Sequence, residues 1–160
     1  MTRDEVQEAT QEAAVAAEHL AAHAERLIAR MASLFPLEGA TLMRWEDEER
    51  ERLHALLRMF DQLYDMTSRK LFRGLLFLSG ETIAGLSAQN QFRRIEALGG
   101  IASADRWIEL GTTRNVLAHD YPTRPAKQAE RANLAWRDLP DLIAGTRRII
   151  SLLQSEGLIP

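Results

Sequence analysis

The stretch Leu53-His54-Ala55-Leu56-Leu57-Arg58-Met59-Phe60-Asp61-Gln62-Leu63-Tyr64-Asp65-Met66-Thr67-Ser68-Arg69-Lys70-Leu71 decides the fold class. Leu53, Leu56, Leu57, Phe60, Leu63, Tyr64, Thr67 and Leu71 recur at the i, i+3, i+4, i+7 spacing of a single helix face. A strand would instead place every second residue on one side, and that alternation is missing. The spacing predicts a long helix from about Arg44 to about Leu78. The run Glu46-Asp47-Glu48-Glu49-Arg50-Glu51-Arg52 fits its solvated first turns, where carboxylates meet the positive end of the helix dipole. Two placements are open to Asp61 and Asp65 on this helix, facing a functional site or facing solvent, and the solvated one is expected.

Upstream, residues 2–32 are also helical in pattern. Val6, Ala13, Leu20, Leu27 and Leu34 repeat every seven residues, with Ala17, Ala24 and Met31 beside them. This is a narrow seam of small residues suited to close helix packing, and it is a candidate surface for association. Ser33-Leu34-Phe35-Pro36-Leu37-Glu38-Gly39 breaks it. Downstream, Ser87 is a suitable N-cap for a shorter helix to Leu98, and Gly99-Gly100 ends that helix. Ser103 caps another, with Asp105 in its first turn. Tyr121-Pro122 must stop that helix, because a residue before proline is pushed out of the α region. Pro125 suits the first turn of a last helix running to about Gln154, which Pro140 is expected to kink or split. The expectation is an all-α antiparallel bundle of four to six helices with a long N-terminal helix.

A chain of 160 residues fits one domain over 1–160. With no cysteine there is neither a disulfide framework nor a thiolate zinc site, and His19 and His23 lack the carboxylate pattern of a helical zinc motif. No metal or other cofactor is expected. Met1-Thr2-Arg3-Asp4-Glu5 does not lead into the apolar segment of a secretory leader. The longest apolar run, Leu75-Leu76-Phe77-Leu78, falls far short of the about 20 residues that span a bilayer. A cytoplasmic location and no membrane partner are expected. Charge is uneven: residues 1–65 carry seven Lys/Arg against fourteen Asp/Glu, whereas residues 66–150 carry thirteen against eight. The net charge of -3 therefore does not exclude RNA, for which a local basic cleft is what matters.

Arg114-Asn115-Val116-Leu117-Ala118-His119-Asp120-Tyr121-Pro122 carries the chemistry. An arginine followed five residues later by histidine is a poor signal, expected by chance about 40 % of the time in a chain this rich in arginine. Requiring Asn after the arginine and Tyr two after the histidine lowers the chance to the order of one in ten thousand. Asn115 and His119 are four apart and share a helix face, whereas Arg114 and His119 are offset by about 140°. Arg114 and His119 converge on one ligand only at a fraying helix end or if two subunits contribute. The Pro122 stop places His119 in the last turn, where free carbonyls favour the imidazolium. A histidine that titrates near neutrality serves acid–base chemistry, and Arg114 offers a planar fork for a phosphate. A plainer reading stands beside this one: His119 caps its helix, Asn115 bonds a neighbouring loop, and Tyr121 packs at a loop start. His19, His23 and His54 read as surface or core-edge residues.

The string resembles the Rx4HxY signature of the HEPN superfamily and is most similar to the HepT type, the toxin half of HEPN–MNT toxin–antitoxin pairs. The resemblance covers about residues 50–154, with residues 2–32 as a helical extension of that core. It implies a homodimer whose two motif copies line one interface cleft. It also implies metal-independent endoribonuclease activity, in which a ribose 2′-hydroxyl attacks the adjacent phosphate. By this resemblance His119 is the general base or acid, Arg114 stabilises the phosphorane, and Asn115 orients His119 or the phosphate. Tyr121 matches the tyrosine to which an MNT nucleotidyltransferase antitoxin attaches AMP. The implied partners are a second copy, that antitoxin and RNA, with no DNA. Two other functions remain open: a non-catalytic HEPN protein that binds a nucleotidyltransferase or nucleotide, and a structural helical interaction module using the residue 6–34 seam.

Overall fold

A computed structural model describes residues 1–119 and 122–160. Its elements, in chain order, are α1 (Arg3–Met31), a 3-10 turn (Ala32–Leu34), α2 (Gly39–Met43), α3 (Asp47–Met66), a π turn (Thr67–Leu71), α4 (Phe72–Leu78), α5 (Ala88–Ala97), α6 (Ala104–His119) and α7 (Pro125–Ser155). The described residues form an all-α bundle with no strand. None of its helices is long and apolar enough to cross a membrane.

The helix ends follow local chemistry. Thr2 closes a capping box with Glu5 at the start of α1, and Glu46 does the same with Glu49 at the start of α3. The Ser87 hydroxyl accepts from the Asn90 amide, and the Ser103 hydroxyl accepts from the Arg106 amide. Pro125 occupies the first turn of α7 as expected. The stretch after α1, expected as a plain break, also holds the five-residue α2, too short to leave a periodic signature.

The predicted long second helix is α3, the π turn and α4 in one continuous run. Its π turn was not expected. The Phe72 amide donates to the Thr67 carbonyl five residues back, which inserts one residue into the helical ladder. The buried Thr67 hydroxyl bonds that of Thr146 on α7 at 2.8 Å, fixing the turn against the core.

The small-residue seam of α1 is used inside the molecule. Ala17, Ala21, Ala24 and Met31 are fully buried, and α1 packs along α3, α4 and α7. One apolar core runs through α1, α3, α4, α6 and α7. The seam is therefore no free association surface: alanines let the helices approach closely, and the core takes up the apolar face.

Of the two effects expected of Pro140, a split does not occur; the helix is continuous from Pro125 to Ser155. Losing one helical hydrogen bond at an interior proline costs about 3 kcal/mol. Around it Asp138, Leu139, Leu142 and Ile143 are all buried, and their packing holds the turn together.

A Tyr64–Trp107 stack, with ring centroids 5.6 Å apart, is seated between α3, α6 and α7. Its two rings rest on glycines. A Cβ at Gly111 would lie 2.5 Å from the Tyr64 hydroxyl oxygen, and one at Gly145 would lie 2.6 Å from the Trp107 ring. In an exposed helix interior, Gly→Ala is stabilising by roughly 1 kcal/mol. Here Gly145→Ala is expected to be destabilising by about 1–3 kcal/mol, because Trp107 is buried and cannot move aside. Thermal unfolding followed by circular dichroism checks the sign: a raised melting temperature would contradict this packing.

Candidate functional site

Helix α6 carries the motif and is held on two sides. Against α3 it runs antiparallel in a matched register. The Trp107 indole N–H donates to Ser68 Oγ at 3.0 Å, Gly111 faces Tyr64, and Arg114 reaches Asp61. Steps of four and three residues along α6 are answered by the same steps back from the π turn into α3. Burial raises the Tyr64 phenol above its ordinary range, although its hydrogen bond with Ser68 works the other way. Tyr64 thus serves this seam as a neutral group.

On the α7 side the anchor is a carboxylate. Asp138 is fully buried and accepts from Thr113 Oγ1, from Arg106 Nη2 at 3.0 Å and from Arg137 Nε at 2.9 Å. Burial alone would raise its pKa. The hydrogen bonds from Arg137, Thr113 and Arg106 outweigh that and hold it below the ordinary carboxylate range. Thr113 therefore ties the residue just before Arg114 to α7. Sequence reasoning did not single out Asp138. Its signal was present, since Asp138 interrupts the apolar face of Ala135, Leu139 and Leu142.

Arg114 is the centre of the motif's own contacts. Its Nε donates to Asp61 Oδ1 at 2.8 Å, and its Nη2 lies 3.1 Å from Asp65 Oδ1. Its Nη1 has one long contact, 3.5 Å to Asn115 Oδ1. The side chain is 20 % exposed, and the guanidinium is fixed in direction by Nε and Nη2 while Nη1 has no carboxylate partner. This corrects the placement of Asp61 and Asp65 as merely solvated. They are half-exposed but aimed at Arg114, one turn apart on α3. Sequence spacing put the two carboxylates on one face; only the α3–α6 register shows that an arginine meets them.

Asn115 and His119 are both exposed, one turn apart on the face that their spacing implied. His119 is the last described residue of α6, and the helix is continuous up to it. Arg114, by contrast, turns toward α3. No contact joins Arg114 to His119 among the described residues, so the about 140° offset between them is retained within one chain. The expectation for Tyr121 lies outside the described residues.

Arg114 with Asp61 and Asp65 sums to a formal charge of −1. A phosphate approaching Nη1 meets one oriented donor but no local excess of positive charge. Binding a phosphate ester here calls for further cations, from a second copy or from neighbouring surface. Comparison of the chain with protein-family models, with curated proteins and with solved structures returned no match.

The Asp138 anchor has a measurable pH signature. A carboxyl held below its unfolded value near 3.9 adds stability that is present above that pH and is lost as pH falls through the folded pKa. Asp138→Asn is expected to cost about 2–3 kcal/mol at pH 7, the lower side of a broken buried pair because Arg137 keeps solvent contact. The loss should shrink below about pH 4. Urea unfolding across pH tests this: an equal deficit at pH 3 and pH 7 would show that the charge contributes nothing.

Proposed function

We propose that this chain is a metal-independent endoribonuclease toxin of the HEPN–MNT type, acting as a homodimer with the motif at the interface. The observation that carries the reading is the presentation of α6: Asn115 and His119 are exposed on one face while Arg114 is clamped by Asp61 and Asp65 with Nη1 left without a carboxylate partner. The unbridged angular offset between Arg114 and His119 favours a site assembled from two copies. His119 of one copy takes the proton of the ribose 2′-hydroxyl as its oxygen bonds to phosphorus. The second copy's His119 gives a proton to the departing 5′-oxygen as the P–O5′ bond breaks. The products are a 2′,3′-cyclic phosphate and a 5′-hydroxyl. Arg114 meets the charge that builds on the phosphorane oxygens, and Asn115 orients the phosphate or the imidazole.

In this reading Tyr121 is the residue that an MNT nucleotidyltransferase partner modifies with AMP. By the HEPN resemblance, AMP on this tyrosine two residues after His119 blocks the cleft and repels RNA. One observation favours the non-catalytic alternative, a nucleotide- or nucleotidyltransferase-binding HEPN protein: the two carboxylates already offset the charge of Arg114.

Subunit mixing separates the two. Arg114→Ala and His119→Ala homodimers are each expected to lose RNA cleavage and growth inhibition while keeping the helical fold. Co-expressed in equal amounts with the wild type, His119→Ala should leave about a quarter of the wild-type rate, because only one random dimer in four keeps both His119 side chains. A rate near half would instead place a complete site in each chain. Full activity in either single variant would remove the ribonuclease reading.

A further inference from the structure

A groove of about 660 Å³ between α1 and the α3–π turn segment runs beside the clamped arginine. Asp61 and Asp65 form one side of it, so the carboxylates that hold Arg114 belong to both features. Arg69 and Lys70 of the π turn line its end, and His19 and His23 face them from α1. Its floor is apolar, built from Ala16, Leu20 and Met66.

Helical spacing extends the charge along both walls. Arg26 and Arg30 follow His23 by one and two turns on α1. Arg58 precedes Asp61 by one turn, and Arg73 follows Lys70 by one turn. All six cations are exposed. Arg69 has a loose partner, Asp65 at 3.6 Å. Arg26, Arg30, Arg58, Lys70 and Arg73 have none among the described residues. Elsewhere, only Arg44 and Arg124 of the described basic side chains share that state, while Arg106, Arg137 and Arg147 are spent on carboxylates.

With Arg114 included, the strip holds seven cations against Asp61 and Asp65. Counting Glu12 and Glu51, at its two ends, leaves an excess of three positive charges in a chain whose net charge is -3. Arg58 to Arg73 alone covers about 22 Å of helix, room for several consecutive phosphates. The π turn adds a second, independent pointer. Such insertions are frequent at functional sites, and this one, fixed on its inner side by the Thr67–Thr146 bond, places Arg69 and Lys70 side by side on the groove.

We propose that this α1–α3 groove is the binding track for single-stranded RNA. Its cations hold the phosphate backbone, its apolar floor meets bases, and it delivers one phosphate to the Nη1 corner of Arg114. The proposal rests on the ribonuclease reading for its choice of ligand, and it supplies the positive charge that the Arg114–Asp61–Asp65 cluster lacks. It also gives α1 a role at the site beyond packing.

The test is fluorescence anisotropy of the full chain with a labelled single-stranded 2′-O-methyl RNA, which cannot undergo 2′-hydroxyl attack. Arg58→Ser/Lys70→Ser/Arg73→Ser is compared with Arg44→Ser/Arg93→Ser/Lys127→Ser, three exposed cations outside the strip; circular dichroism verifies both folds. The strip variant is expected to bind on the order of tenfold or more weakly and to lower the log–log salt slope by about 2, with the control near wild type. Equal weakening in both variants, unchanged binding in the strip variant, or no binding by the wild type at low salt would overturn the proposal. So would strip-dependent capture of an acidic peptide without RNA binding, which would make the groove a protein-docking site. Cleavage of ordinary RNA is scored separately. Localised binding without any cleavage leaves the track and removes the ribonuclease. Undiminished cleavage by the strip variant leaves the ribonuclease and removes the track.

Discussion

The close approach of α6 to α3 is the constraint on which the rest depends. It exists because position 111 has no side chain and Tyr64 occupies the space, with Trp107 stacked against it and bonded to Ser68. Once those contacts set the antiparallel register, Arg114 has little choice of partner. Asp61 and Asp65 lie within reach, and the guanidinium is held by two of its three nitrogens. From the other side Asp138 pins Thr113 to α7. The exposed end of α6 is therefore presented by a rigid frame, and motions that would swing His119 toward Arg114 in one chain work against packed aromatic and ionic contacts. The proposed dimeric site requires no such rearrangement.

The helical character of the fold was legible because apolar periodicity is a local property. The stripe from Leu53 to Leu71 and the caps at Ser87, Ser103 and Pro125 needed no knowledge of neighbours. What was not legible depends on tertiary context. The seam of α1 looks the same in sequence whether it packs within the chain or against another protein, and only burial of Ala17, Ala21 and Ala24 distinguishes the two. Pro140 is locally a helix breaker, yet the buried residues around it override that preference. The π turn has no compositional mark, because it answers the Thr67–Thr146 contact and the packing of two long helices.

The site divides in the same way. The shared face of Asn115 and His119 follows from their spacing of four. That Arg114 points elsewhere follows from its spacing of five. The identity of its partners does not follow from either, since it requires the α3–α6 register. Asp61 and Asp65 also change the chemistry expected of the motif. An arginine with two carboxylates is a well-aimed donor with most of its charge offset, and it depends on surrounding cations to attract a polyanion. The unpaired arginines and lysine along α1 and the α3–α4 run fit that requirement, although they are dispersed over some fifty residues that straddle the acidic first part of the chain and the basic part after it. Charge counted along the sequence concealed them; charge counted across two packed helices does not.

The central claim is that this site cuts RNA by internal attack of the 2′-hydroxyl. The most direct measurement is the chemistry of the new ends, read by mass spectrometry after the wild-type protein is incubated with a defined RNA in the presence of a chelator. The account predicts 2′,3′-cyclic phosphate and 5′-hydroxyl termini. Termini bearing a 3′-hydroxyl and a 5′-phosphate, or intact RNA throughout, would contradict it.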